Sequence, residues 1–118
     1  MPPNAKAKRK AMRVLTNTTY ERELSKELMV LHDQFHDWLK KKMDAWSLSD
    51  AIHRFHDGPA RDLWARYTYL KPDMLVARAI AHGTLSPEEV PAEIRAELQA
   101  SIEAFRIDLT PSPDDNAV

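Results

Sequence analysis

Four of the five histidines stand in two pairs at helical spacing. His32 and His36 are four apart and His53 and His56 three apart, with Asp33, Asp37 and Asp57 beside them. Such spacings put two imidazoles on one helical face, the arrangement a metal site between helices needs. Di-metal bundles, however, draw on Glu-x-x-His pairs facing inward, and this chain contains none. His32 and His36 also fall next to the apolar positions Leu31 and Phe35 rather than among them. They read as surface or interface imidazoles hydrogen-bonded to neighbouring acids, with no metal and no cofactor expected. Nucleophilic chemistry finds no better footing. Cysteine is absent, Ser25, Ser47, Ser49, Ser86 and Ser101 lack a strand–turn–helix setting, and no glycine-rich phosphate loop occurs. The chain does not read as an enzyme.

The elements that position these residues follow from composition. The 118 residues, 43% hydrophobic with two glycines and no β-branched alternation, describe a small all-α protein. Without cysteine, disulfides and thiolate metal sites are excluded, which suits a cytoplasmic location. No apolar run approaches the roughly 20 residues that span a bilayer, and a net charge of −1 steers nothing toward nucleic acid. Neither membrane nor nucleic acid is an expected partner. Lys6, Lys8, Arg9, Lys10 and Arg13 form a basic leader, and residues 1–16 are expected as a disordered arm. Residues 17–107 then make a single helical domain, and the proline-broken stretch 108–118 a disordered tail.

The first helix should open at a capping box, Thr18 with Glu21. Tyr20, Leu24, Leu28, Leu31, Phe35 and Trp38 or Leu39 then recur in steps of three and four. About 25 helical residues reach about 37 Å, a stem long enough that Leu24, Leu28, Leu31, Phe35 and Trp38 are expected to bury against a second copy. Lys40, Lys41 and Lys42 suit the negative helix end. A second start signal stands at Ser47–Asp50. Gly58-Pro59 interrupts, leaving either collinear pieces with a kink or two short helices. Tyr67 to Lys71 connects to a third helix that Pro72 opens and Gly83 closes. Ser86 to Glu89 and Pro91 precede a last helix striped by Ile94, Leu98, Ile102 and Phe105.

The middle of the chain is its most particular part: His53-Arg54-Phe55, then Asp62 running to Arg66-Tyr67-Thr68-Tyr69, with Tyr20-Glu21-Arg22-Glu23-Leu24 upstream. This order resembles the fluorescence recovery protein family over roughly residues 19 to 85. Members are small helical dimers that regulate the orange carotenoid protein of cyanobacterial photoprotection. The resemblance implies a long antiparallel stem that dimerises and a small helical head. It also implies a non-enzymatic action, in which binding speeds return of the photoactivated carotenoid protein to its resting form. His53 and Phe55 match the family's histidine and following aromatic, and Arg66, Tyr67 and Tyr69 its cation–Tyr–x–Tyr block. Tyr20, Arg22 and Glu23 match its first-helix motif, and Gly83 its helix-ending glycine.

The departures fall on the family's active surface. Asp50 stands at the functional tryptophan and Arg54 at an aspartate. Ala60 stands at an arginine, for which the adjacent Arg61 could substitute. The expected partner-binding residues are Asp50, His53, Arg54, Phe55, Arg61, Asp62, Tyr67 and Tyr69, on a homodimer whose client is an orange carotenoid protein or a related carotenoid-binding protein. The competing reading is a helical protein-interaction or histidine-rich metal-binding bundle of an unrelated pathway.

Overall fold

A computed structural model describes residues 5–108, all helices and turns, with no strand among them. The helices are α1 (Ala5–Leu39), α2 (Ala45–Phe55), α3 (Arg61–Tyr69), α4 (Pro72–His82) and α5 (Ala92–Asp108). A π-helical turn, His56–Ala60, carries α2 into α3 without a break, so four helices stand in space. A 3₁₀ turn, Pro87–Glu89, precedes α5. The expected disorder of residues 1–4 and 109–118 lies outside the described residues.

The first helix corrects the sequence reading at its start. It begins at Ala5, so residues 5–16 of the expected arm are helical, and Thr18 caps nothing. The run Thr16-Asn17-Thr18-Thr19 looked like a boundary because threonine competes with helical backbone bonds. Here the hydroxyls of Thr16, Thr18 and Thr19 each donate to the carbonyl four residues back, at 2.7, 2.9 and 2.8 Å, which keeps them inside the helix. Met12 and Leu15 are buried and anchor this stretch of the helix. Met12, Val14 and Leu15, the large apolar residues among five cations, gave little periodicity to read.

The described chain also divides into two compact units where the sequence suggested one domain. Residues 5–19 and 70–108 form the first. Its core joins Met12 and Leu15 to Val76, Ala77, Ala79, Ile80, Leu85 and Val90, and to the α5 stripe Ile94, Leu98 and Ile102. Lys8 pairs with Glu97. The α4 end is closed by Gly83 at φ 80°, with Gly83 N–H donating to Ile80 O and Thr84 N–H to Ala79 O. That is the left-handed Schellman closure glycine favours.

Residues 20–69 form the second unit, an antiparallel hairpin. Its turn uses the same closure with an unusual occupant. Lys42 N–H donates to Asp37 O and Lys41 N–H to Trp38 O, which places Lys41 at φ 60° where glycine would sit. A second correction concerns α2. It starts at Ala45, ahead of the expected Ser47, because Asp44 accepts the Ser47 N–H at 2.7 Å. That bond, then one from the Ser47 hydroxyl, holds the Asp44 carboxyl below its ordinary pKa of 3.8. The expected interruption at Gly58-Pro59 is a π turn. Pro59 lacks an N–H, and the widened turn absorbs its ring while the helix continues. Gly58 takes no left-handed conformation.

Candidate functional site

The hairpin brings together the two segments that carry the resemblance. Arg66 on α3 reaches Glu23 on α1 with Nη1 3.1 Å from Oε2, and both side chains are largely covered. One turn earlier on α1, the Tyr20 ring stacks on Tyr67 with centroids 4.4 Å apart and planes 15° from parallel. Tyr20 and Glu23 are one turn apart and so share a face of α1, which Arg66 and Tyr67 of α3 both reach. Further along, Glu27, Leu31 and Gln34 border a shallow cleft with Ala51, Arg54 and Phe55. Leu48, Ala51 and Leu63 are the buried residues of the returning helix.

This packing sorts the expected partner-binding residues into two groups. Tyr67 and Phe55 are half-buried, and the Tyr67 ring is stacked on Tyr20. Asp50, His53, Arg54, Arg61, Asp62 and Tyr69 are exposed. Arg54 pairs with Asp50 one turn back, at 2.7 Å, so the two charges that depart from the family pattern engage each other. At the end of α3, Tyr69 is 75% exposed and meets Trp64, itself 54% exposed, edge to face at 6.1 Å. Trp64 was not among the residues the sequence singled out for binding. Its position off the Leu63–Arg66–Tyr67 face would have placed it outward on a helical wheel.

The residues expected to meet a second copy are also split. Leu24 and Leu31 are half-covered within the hairpin. Leu28, Phe35 and Trp38 are exposed, Leu28 at 45%, and Met29, Val30 and Leu39 add further apolar surface on α1. The hairpin thus takes up part of the stripe and leaves the rest in water.

The histidines do not converge. His32, His36, His53 and His56 are exposed, and His32 Nδ1 lies 3.3 Å from its neighbour Asp33. Among the described residues no group of three or more His, Asp or Glu side chains could hold a metal ion. No helix among them is long and apolar enough to cross a membrane. Comparison of the chain with protein-family models, with curated proteins and with solved structures finds no match.

Proposed function

We propose that this chain is a non-enzymatic, dimeric regulator of the fluorescence recovery protein type, binding a carotenoid-carrying protein client through the outer face of α2 and α3. The observation that carries the reading is that exposed face. Asp50, His53, Arg54, Arg61 and Asp62 line it, and the Trp64–Tyr69 aromatic pair closes its end. Tryptophan, tyrosine and arginine are the side chains enriched at interface hot spots. The Glu23–Arg66 ion pair and the Tyr20–Tyr67 stack brace the helix behind it, and a braced face loses less conformational entropy on binding. The uncovered Leu28, Phe35 and Trp38 support a second copy as cover for α1.

The test is back-conversion of an illuminated orange carotenoid protein, followed by absorbance with and without this chain. Acceleration is expected. The D50W/R54D double variant should accelerate it further, because Arg54 faces a client surface that the family meets with a carboxylate, and like charges lower affinity. Changing both positions together matters. Arg54→Asp alone would set two carboxylates one turn apart on α2. No binding and no acceleration with any variant would remove this client from the proposal.

A further inference from the structure

The turn between α1 and α2 carries a surface that the hairpin does not use. Trp46 is 84% exposed and Leu39 69% exposed. Between them Lys40, Lys41 and Lys42 are all exposed, and none makes an ion pair among the described residues. At 100° per residue, Trp46 lies on the side of α2 away from Leu48 and Ala51, the residues that α2 buries. The two acids nearby do not neutralise the lysines. Asp44 is turned to its own helix, accepting the Ser47 N–H, and Asp37 is half-buried, with its carbonyl closing the Lys42 turn. A shallow cavity of about 340 Å³ sits at the turn, bordered by Trp38, Lys41, Lys42 and Met43. Lys41 holds a left-handed conformation that glycine would adopt at less cost.

We propose that this hairpin tip docks on an anionic membrane surface, with Trp46 and Leu39 entering the headgroup layer and Lys40, Lys41 and Lys42 meeting lipid phosphates and carboxylates. Tryptophan partitions to the membrane interface because its ring is amphipathic. Clustered lysines add attraction to acidic lipid within a Debye length of the surface. The charge selects the occupant: an uncharged apolar cover would leave three ammonium groups without partners. Surface docking of this kind needs no spanning segment, and it departs from the expectation of no membrane partner.

The experiment uses the full chain with W38F and W64F, so that Trp46 is the only tryptophan. Vesicles of phosphatidylcholine with and without phosphatidylserine are titrated in while Trp46 emission is recorded. A blue shift with acidic vesicles and none with neutral ones is expected, and it should weaken with added salt. K40Q/K41Q/K42Q should lower partitioning on the order of 100-fold, at about fivefold per lysine. Co-sedimentation of the unaltered chain with the same vesicles guards against a folding defect in the tryptophan variant. Absence of binding in both assays overturns the proposal, as does equal binding to neutral vesicles. A blue shift that grows with protein concentration alone also overturns it, by showing that a second copy covers Trp46.

Discussion

Glu23 and Arg66 meet at 3.1 Å although 43 positions separate them in the chain. Together with the stacked rings of Tyr20 and Tyr67, the pair sets the register in which α3 lies along α1. It thereby decides which residues of the returning helix face outward.

A double-mutant cycle with E23Q and R66Q should give a coupling of about 1–2 kcal/mol, since charge-assisted bonds between largely covered groups exceed surface pairs. Both single changes should destabilise the fold, because the side chains of the pair are only 28% and 15% exposed. Urea unfolding followed by circular dichroism measures both. A coupling near zero would mean that the register is set by the apolar contacts alone.

Alanine should be costlier at Gly83 than at Gly58. Beyond the chain neighbours and nearby helix backbone, an added Cβ meets nothing within 4 Å at either position. Gly58→Ala should change stability by less than about 1 kcal/mol, because the entropy removed from the unfolded chain is opposed by the Pro59 ring, which crowds a Cβ on a helical residue before it. Gly83→Ala should destabilise by about 1 kcal/mol, because φ 80° is strained for any residue with a Cβ. Lys41→Gly should relieve the same strain and gain a few tenths to about 1 kcal/mol. Thermal melts of the three variants check these changes.

Leu28→Glu is the sharper test of assembly than a change at Leu31. Leu31 borders the cleft against Ala51 and Phe55, so a charge there would disturb the hairpin itself. Leu28 is 45% exposed and should leave the hairpin intact. If two copies bury it, an unpartnered carboxylate at each interface costs several kcal/mol, weakening the dimer on the order of 100-fold or more. Light scattering at micromolar concentration reports the outcome, with helicity unchanged as the control.

The α2 cap should be sensitive to acid. The Asp44 carboxyl is held below its ordinary value of 3.8 in the folded chain by the Ser47 N–H, then by the Ser47 hydroxyl. A group with a lowered folded pKa contributes stability above its unfolded pKa and loses it as pH falls through the folded value. The start of α2 should therefore fray on acidification below about pH 4, with the Ser47 amide losing hydrogen-exchange protection first. Asp44→Asn should keep the cap and abolish this pH dependence, and Asp44→Ala should lose the cap at every pH.

Much of the helix pattern was legible because apolar spacing and end signals are local. The α5 stripe Ile94, Leu98 and Ile102 is buried as its spacing of four implies, and Gly83 closes α4. Pro72 opens α4 after Lys71, whose backbone is extended. Local reading failed where a local signal was outvoted. The threonines from Thr16 to Thr19 bond back to their own helix, and Met12 and Leu15 hold the basic leader against a core contributed by residues more than 60 positions away. Gly58-Pro59 looked like a stop because neither residue favours an ordinary turn, yet one widened turn accommodates both.

By itself the sequence determined that this is an all-α chain built on one long first helix, with charged and aromatic residues gathered between Asp50 and Tyr69. Periodicity, caps and composition act within a few residues and need no partner to be read. Only the tertiary structure decided that Tyr67 lies against Tyr20, that Arg54 pairs with Asp50, and that Trp46, Trp64 and Tyr69 lie outside the chain's own core. An aromatic residue gains free energy from burial in a core and from burial in an interface alike. Its side of the helix is chosen by the register of the hairpin, which long-range contacts set.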